Sequence, residues 1–338
     1  MKQSTTRARR IKARAVGVIA SIAFVGVAAG ASFELDEHPD LPHALPAAPI
    51  ATAALAAPAI AAPGLVAPAK PMALAFIDSL VGLSGKLRAR FVARGTPRLG
   101  IPILAQLFGD SALEVPGIHP LMDATRSFSL ITMLPFSAKH AGRIGSYHIG
   151  NWPYEHRAPR SSVYANPDGF IEVTAANEST YVSDHFRLSD FLTHDQEDTW
   201  PKYLVLNERL VDKLELVIED LNAHGVHVEH LSVMSGFRTP EYNRQGVGEG
   251  GRARDSRHQY GDAADVFVDN EGRGRMDDLN HDGRVDYRDA RVIRDAVDRV
   301  EAAHPELVGG VGVYRGNLVH GPFAHIDARG VRARWGRG

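Results

Sequence analysis

The clearest hydrophobic pattern in the chain lies between residues 207 and 222. Apolar residues recur there at the three- and four-residue spacing of one helix face, namely Leu210, Val211, Leu214, Val217, Ile218 and Leu221. Asn207 is a favourable N-cap, because its side chain can accept a hydrogen bond from an unpaired backbone N–H. Gly225 stands where a left-handed residue would end a helix. The pattern therefore predicts an amphipathic helix over 207–222 that serves as scaffold.

Other apolar segments predict strands or less regular structure. Residues 226–234 alternate enough to form a strand. Residues 142–174 are rich in Gly, Tyr, Trp and Pro, which predicts short strands joined by turns. Residues 72–140 are apolar enough to contain helices, for example over 72–92. These segments predict structure but indicate no chemistry.

The N-terminal seventy residues follow a different pattern. Residues 15–33 carry no charge. The fourteen positions before them contain several basic residues, namely Lys2, Arg7, Arg9, Arg10, Lys12 and Arg14. This pattern, followed by small residues at 29–31, is typical of a secretory signal peptide. The apolar run has about nineteen residues, near the length of a membrane span, so an uncleaved anchor with its basic end in the cytoplasm is the alternative. From residue 41 to 71 Ala and Pro dominate, which predicts an extended linker.

The overall composition excludes several classes of protein. The chain has 338 residues, of which 44% are hydrophobic, with 38 basic against 40 acidic side chains. These values exclude a disordered polyelectrolyte, a coiled coil and a multi-span membrane protein. Because basic residues are concentrated at the N-terminus, the rest of the chain is net acidic and has no basic stripe interleaved with aromatics, so we expect no nucleic-acid partner. The chain has no cysteine, which excludes disulfides, thiol nucleophiles and thiolate metal ligands.

Three short segments carry residues that are typical of a metal site: 235–240, 256–265 and 323–327. A hydrolytic zinc site needs three protein ligands of the imidazole or carboxylate kind and one open position for water. His258, Asp265 and His325 can supply that set. Gly261, between the first two, fits a loop that turns into a strand.

Taken together, the three segments resemble the zinc D-alanyl-D-alanine carboxypeptidase family. This family includes D-Ala-D-Ala dipeptidases and bacterial murein endopeptidases, and it shares a fold with the hedgehog signalling domain. Its S-x-H-x-x-G-x-A-x-D pattern is matched by Ser256, His258, Gly261, Ala263 and Asp265. Residues 235–238 match its S-G-[FY]-R element and residues 325–327 its H-[IV]-D element, so that the resemblance covers about 180–335.

The resemblance implies roles for individual residues. His258, Asp265 and His325 would bind a catalytic zinc ion. Arg238 would hold a substrate carbonyl or carboxylate and stabilise the charge of the tetrahedral intermediate, for which a forked guanidinium is well suited. Ser256 would also contact the substrate.

The resemblance also implies the architecture. We expect an α+β domain over residues 180–338, with a small, mostly antiparallel sheet flanked by helices and the zinc site on its open face. The preceding chain would divide into a signal peptide or membrane anchor (1–31), a linker (32–71) and an accessory region of unknown topology (72–179).

The general base of the family is not matched. Relatives often carry Glu three residues, or His two residues, before the last ligand, where this chain has Pro322 and Phe323. His320 is one candidate, because a neutral imidazole can accept a proton from the attacking water near pH 7. Asp327 is the other: two residues beyond His325 on a strand, it points to the same face and could be either the base or a support for that ligand.

A second metal-binding pattern is inserted between the zinc-ligand segments. Residues 278–289 follow the calcium-loop template D-x-[DN]-x-[DN]-G, with an acid at position twelve. Gly283 would make the turn, and the predicted Ca²⁺ ligands are the side chains of Asp278, Asn280, Asp282 and Asp289 and the carbonyl of Arg284. Asp rather than Glu at the twelfth position resembles the dockerin loop, and an amphipathic helix follows. Because dockerin loops occur in pairs and this one is single, we expect a structural clamp rather than a docking module.

The expected function is hydrolysis of amide bonds next to D-amino acids in peptidoglycan stem peptides or cross-links. The export signal and linker predict a protein of the periplasm or cell envelope, either free or anchored to the inner membrane. Carboxypeptidase, dipeptidase and endopeptidase activities all stay open, and the long N-terminal part favours an endopeptidase. The alternative is a non-catalytic wall-binding or interaction module on the same fold, which the absence of the family base supports.

Overall fold

The computed structural model describes residues 80–96, 102–121, 127–248 and 251–336. The predicted signal segment (1–31) and linker (32–71) lie outside these residues. Within the described ranges, no helix is both long enough and apolar enough to cross a membrane. Helices and strands both contribute to the fold, as the predicted α+β class requires.

The first sheet is built mainly from the N-terminal half of the described chain. Its strands are β1 (Ala89–Ala93), β2 (Gly117–Pro120), β3 (Ser129–Pro135), β6 (Gly169–Val173) and β7 (Lys202–Leu204). They are ordered β1-β3-β6-β7, with β2 pairing on β3, and only the β1 and β3 pair is parallel. Between these strands lie two short helices and a hairpin: α1 (Pro102–Phe108), α2 (Asp110–Glu114), β4 (Arg143–Ile144) and β5 (Tyr147–His148).

The helix expected over residues 72–92 is wrong for its described part. Residues 80–88 form turns and bends, and Ala89–Ala93 is strand β1. The backbone of β1 pairs with β3, and Arg88 N–H bonds to the carbonyl of Val182. These long-range backbone pairs outweigh the local apolar pattern.

The second sheet carries the predicted ligand segments. Its strands are β8 (Leu231–Ser235), β9 (Ala263–Val268), β10 (Gly310–Tyr314), β11 (Phe323–Asp327) and β12 (Ala333–Trp335). The order is β12-β10-β11-β9-β8, and every pairing is antiparallel except β10 with β12. This is the mostly antiparallel sheet that we expected. The strand predicted over 226–234 begins later, at Leu231.

Three helices accompany the second sheet: α3 (Glu208–Ala223), α4 (Pro240–Gln245) and α5 (Tyr287–Ala303). Helix α3 confirms the prediction for 207–222, and Asn207 caps it by accepting from the N–H of Arg209 at 2.9 Å. Helix α5 is the amphipathic helix expected after the calcium-loop pattern. It packs against α3, β10 and β11.

Alternation along β11 separates a core face from a site face. Ala324 and Ile326 point into the core cluster that includes Ile293 of α5. His325 and Asp327 therefore point to the opposite face. Cross-strand register places Asp265 and Gly312 beside His325 on that face.

The two sheets share one hydrophobic core. Buried side chains of both sheets, among them Phe170 of β6 and Ile326 of β11, belong to one contiguous cluster. A smaller cluster lies under α1 and α2, around Leu130. Part of the described chain before residue 180 thus packs against the part that carries the ligands.

Candidate metal centre

Two strands and one turn bring the three predicted zinc ligands together. Asp265 on β9 and His325 on β11 are direct cross-strand partners. His258 lies on the 3-10 turn Arg257–Tyr260, which leads into β9. Gly261 ends this turn with φ of 68°, and a Cβ there would overlap the carbonyl group of Val205. The turn therefore requires glycine between the two ligands.

The three ligand atoms form a nearly equilateral triangle. Nε2 of His258 lies 3.2 Å from Oδ1 of Asp265 and 3.1 Å from Nδ1 of His325, and the last two atoms are 2.9 Å apart. A tetrahedral zinc with ligands at about 2.0–2.1 Å separates them by roughly 3.3 Å, so a small expansion would accept the ion. Across the described part of the chain, this is the one cluster of three or more His, Asp or Glu side chains with such geometry.

Each imidazole presents one particular nitrogen to the triangle. Nδ1 of His258 donates to the carbonyl of Gly236 at 2.7 Å, which leaves Nε2 to bind a metal. Gly236 itself packs closely on the neighbouring chain, because a Cβ there would lie 2.6 Å from Cα of Phe191. Burial, together with the positive charge of Arg238, lowers the pKa of His258 and favours the neutral, metal-binding form.

Arg238 is in contact with one of the ligands. Its guanidinium donates to Oδ2 of Asp265, and its Nε donates to Oγ of Ser235 at 2.8 Å. Burial opposes ionisation of Asp265, but its contacts with His258 and Arg238 outweigh burial and hold the pKa of this carboxyl well below its usual range. Arg238 thus turns Oδ1 of Asp265 towards the imidazoles. Its contact with a substrate stays a prediction.

Asp327 supports His325 from the side opposite the triangle. Its Oδ2 lies 3.4 Å from Nε2 of His325, within ion-pair range but outside hydrogen-bond geometry. Arg329 donates to both carboxylate oxygens of Asp327, and the Gly310 N–H donates to Oδ1 at 2.7 Å. Burial lowers the pKa of His325, but the hydrogen bond with Asp265 and the charges of Asp265 and Asp327 outweigh burial and raise it to about 9. These contacts suit Asp327 to orienting the ligand.

The structure places His320 in the loop between β10 and β11. Its Nδ1 lies 2.8 Å from the carbonyl of Gly321, and its Nε2 lies 2.9 Å from Nδ2 of Asn317. The ring packs edge-on against Phe323. The described partners of His320 are therefore residues of its own loop and of β11, and none of them is one of the three predicted ligands.

Ser256 immediately precedes the turn that carries His258. Its side chain is buried, and its Oγ has no hydrogen-bond partner among the described residues. A buried hydroxyl of this kind can be satisfied by an incoming polar group. The position is compatible with the predicted substrate contact.

Two tryptophans that the sequence analysis did not single out complete the site. Trp335 on β12 packs against His325, with ring centroids 5.2 Å apart. Trp152 donates its Nε1–H to the carbonyl of Gln259 at 2.8 Å and so braces the turn that carries His258. Both contacts depend on tertiary packing, and no local motif signals them.

In the structure the predicted calcium loop is a compact turn whose oxygens have protein donors. Oδ2 of Asp278 accepts from Gly283 N–H at 2.8 Å, and Oδ2 of Asp282 accepts from Arg288 at 2.8 Å. The buried carboxylate of Asp289 accepts from the N–H groups of Leu279 and Asp286, at 2.9 and 2.8 Å, and Oδ1 of Asn280 accepts from Asp282 N–H at 2.9 Å. These bonds hold the loop against the start of α5. Calcium binding stays a prediction.

The buried triangle of two imidazoles and one carboxylate on a sheet face could hold a single metal ion, and its donor set is of the kind that zinc hydrolases use. The Peptidase M15 family model matches residues 185–286 of the chain, which supports the M15 zinc peptidases in general and indicates a metallopeptidase. The match contains His258 and Asp265, whereas His325 lies beyond it. No curated protein and no solved structure matches the chain.

Proposed function

We propose that the protein is a zinc-dependent peptidase that hydrolyses amide bonds next to D-amino acids in peptidoglycan stem peptides or their cross-links. The triangle of His258, Asp265 and His325 carries this proposal, because its edges of 2.9 to 3.2 Å fit three positions of a tetrahedral zinc. The Peptidase M15 match supports the peptidase class. The choice of substrate rests on the family resemblance.

The donor set suits a hydrolytic zinc. Two imidazoles and a carboxylate would hold the ion and leave a fourth position open, as catalytic rather than structural sites do. When bound, zinc would polarise the substrate carbonyl and lower the pKa of the attacking water. His258, Asp265 and His325 are only 0 to 4% exposed as residues, so charges act there with little screening by solvent.

Arg238 would orient Asp265 and stabilise negative charge on the substrate. A guanidinium has five donors, and the bonds to Ser235 and Asp265 use two of them. The remaining donors can bind an oxyanion that develops next to the metal, and such preorganised donors contribute strongly to catalysis. Ser256 Oγ would add a further polar contact to the bound peptide.

Asp327 would keep Nδ1 of His325 directed at the metal. Its carboxylate is fully buried and bonded to Arg329, which fixes it beside the other ring nitrogen. A carboxylate beside the second ring nitrogen raises the basicity of a ligating imidazole. We therefore assign Asp327 to support of the ligand.

The proposed site of action is the cell envelope. The basic and apolar leader predicts export or anchoring to the inner membrane, and the Ala- and Pro-rich linker would hold the enzyme away from that membrane. Endopeptidase action is our first choice over carboxypeptidase action, because the long part of the chain before the ligand segments would help to hold a polymer. Peptidoglycan stem peptides are the proposed partner, with no nucleic acid.

We also propose that the loop at 278–289 binds Ca²⁺ as a structural clamp. The template spacing supports it, and α5, which packs on β10 and β11, starts at this loop. Calorimetry should show Ca²⁺ uptake and a rise in melting temperature, both lost in Asp278→Ala. No uptake, or uptake without a change in melting temperature, would contradict the clamp.

Incubation with isolated murein tests the proposed activity. We expect the full chain to release peptides in the presence of zinc, to stop on addition of a chelator and to recover on reloading with zinc. Intact murein after zinc reloading would count against the proposal. A non-catalytic wall-binding module would instead co-sediment with murein and release nothing; the match to a peptidase family does not favour that alternative.

A further inference from the structure

Strand β12 places a tryptophan against one of the ligands. The ring centroids of Trp335 and His325 are 5.2 Å apart, with an angle of 48° between the planes. β12 is an edge strand that pairs only with β10 among the described strands. Trp335 therefore reaches over β10 to touch a ligand on β11.

Two glycines make room for this side chain. Gly312 is the cross-strand partner of His325, and a Cβ on Gly312 would lie 2.6 Å from Cε2 of Trp335. A Cβ on Gly310 would lie 2.7 Å from Cη2 of the same ring. The indole thus lies on β10 in space that any other residue at these positions would fill.

The position of the indole is itself fixed. Its Nε1–H donates to Oη of Tyr314 at 2.7 Å, and the guanidinium of Arg329 lies 5.4 Å from its ring centroid. Arg329 also holds Asp327 through a bond of 2.6 Å to Oδ2. Trp335 and Asp327 are therefore parts of one group of contacts around His325.

The two imidazole ligands are fixed by different means. Nδ1 of His258 makes a hydrogen bond of 2.7 Å to a carbonyl, which sets the ring plane. Nε2 of His325 has no hydrogen bond with correct geometry among the described residues, and Asp327 lies 3.4 Å away. A charge at that distance attracts the ring but constrains its rotation weakly, because good hydrogen bonds are directional. Packing must supply the missing constraint.

We propose that Trp335 is a positioning residue for the metal centre, which holds the ring plane of His325 so that Nδ1 points at the ion. The inference rests on the zinc centre of the proposed function and adds to it a residue outside the ligand set. Without the indole, the ring could rotate about its Cβ–Cγ bond and move Nδ1 out of the triangle. Trp335 acts through His325 and needs no contact with the substrate.

Zinc affinity, measured by competition with a chromophoric chelator, tests this role directly. We expect Trp335→Ala to weaken zinc binding at least about tenfold, the lower range for loss of a residue that supports a metal ligand. Trp335→Phe keeps an aromatic face on His325 and should recover most of that loss. Gly312→Ala retains the tryptophan but displaces it, so it should weaken binding in the same direction.

Matched control variants distinguish a positioning role of Trp335 from a general contribution of Trp335 to the stability of the protein. Trp200 is half-buried, and Nζ of Lys202 lies 4.8 Å from its ring centroid. Trp200→Phe should leave zinc affinity unchanged. A merely structural Trp335 would lower the melting temperature of the metal-free protein without changing zinc affinity or the visible spectrum of the Co²⁺-substituted protein. We expect both zinc affinity and spectrum to change in Trp335→Ala and Gly312→Ala.

The outcomes distinguish this inference from the proposed function. Wild-type zinc affinity in both folded Trp335→Ala and Gly312→Ala would overturn the positioning role alone. If the wild-type chain took up no zinc, or if His258→Ala took it up equally well, the metal centre and the positioning role would both be overturned. If Trp335→Ala does not fold, the comparison of Gly312→Ala with wild type decides.

Discussion

The guanidinium of Arg238 donates a hydrogen bond to Oδ2 of Asp265, whose Oδ1 faces the two imidazoles of the candidate metal centre. One side chain thus touches a proposed metal ligand and keeps donors that its bonds to Ser235 and Asp265 do not use. We therefore expect a substitution at Arg238 to change both zinc affinity and turnover. A substitution at an exposed arginine far from the site should change neither.

Arg238→Ala should lower both zinc affinity and catalytic efficiency. Loss of the bond to Asp265 should weaken zinc binding roughly tenfold, and loss of the donors should lower kcat/KM by about a further 10²- to 10³-fold at saturating zinc. Chelator competition and steady-state kinetics measure the two effects. Arg244→Ala is the control, because Arg244 is exposed and pairs with Glu241 on its own helix. Wild-type kcat/KM in zinc-loaded Arg238→Ala would contradict the assigned role.

Asp327→Asn should weaken zinc binding by about 10- to 100-fold. The substitution removes the charge beside Nε2 of His325 and leaves Arg329 without its carboxylate partner. Asp220→Asn breaks another aspartate–arginine pair, with Arg299, and should leave zinc affinity at the wild-type value. Equal zinc affinities of the two variants would show that Asp327 does not support the ligand.

His320→Ala should retain turnover within about threefold of wild type. Both ring nitrogens of His320 have partners in its own loop, Gly321 and Asn317, and the ring packs on Phe323. Removal of a general base typically costs about 10²- to 10⁴-fold in rate. A loss of that size in kcat, with zinc still bound, would instead establish His320 as the base.

Gly261→Ala should destabilise the protein more than Gly225→Ala does. Both glycines have positive φ, 68° and 84°, so each substitution carries the backbone cost of a left-handed residue, about 1–2 kcal/mol. At Gly225 a Cβ would meet nothing within 4 Å, whereas at Gly261 it would overlap the Val205 carbonyl. We expect an additional loss of about 1–3 kcal/mol at Gly261 in urea unfolding. Equal losses would mean that the turn before β9 is not constrained as described.

The pair formed by His185 and Glu215 should make stability depend on pH near neutrality. The hydrogen bond from Nδ1 of His185 to the buried Glu215, at 2.7 Å, raises the pKa of this histidine above its ordinary value, although partial burial opposes the shift. The resulting stabilisation is fully present below about pH 6.5, the unfolded value, and is lost as pH rises through the raised pKa of the folded state.

Urea titrations at pH 6 and pH 8 measure this effect. We expect the wild-type midpoint to fall on going to pH 8 by more than that of His185→Gln, which keeps a donor but does not titrate. Parallel changes of the two midpoints would rule out the contribution of the pair.

Some structural features of this chain could be predicted from short segments of its sequence, whereas others could not. The helix at Glu208–Ala223 follows from one apolar face with an N-cap and a left-handed stop, all within residues 207–225. The turn between His258 and Asp265 could also be predicted from the local motif, because Gly261 ends that turn just before β9.

Features that depend on distant partners could not be predicted in this way. Strand β1 forms where apolar composition suggested a helix, because its backbone pairs with β3 forty residues further on. The packing of Trp335 on His325 requires a parallel edge strand and two glycines on β10, which no short window of sequence reveals. Spacing alone likewise does not show that Asp327 is already bonded to Arg329.

The central claim is that the triangle of His258, Asp265 and His325 holds a zinc ion that serves peptide hydrolysis in peptidoglycan. Mass spectrometry of products from defined, cross-linked muropeptides tests it most directly, with zinc-loaded wild type and His258→Ala compared at equal concentration. We expect products cut at an amide bond next to a D-amino acid with wild type and uncut substrate with His258→Ala. Uncut muropeptides with the zinc-loaded wild type, or the same products with both proteins, would contradict it.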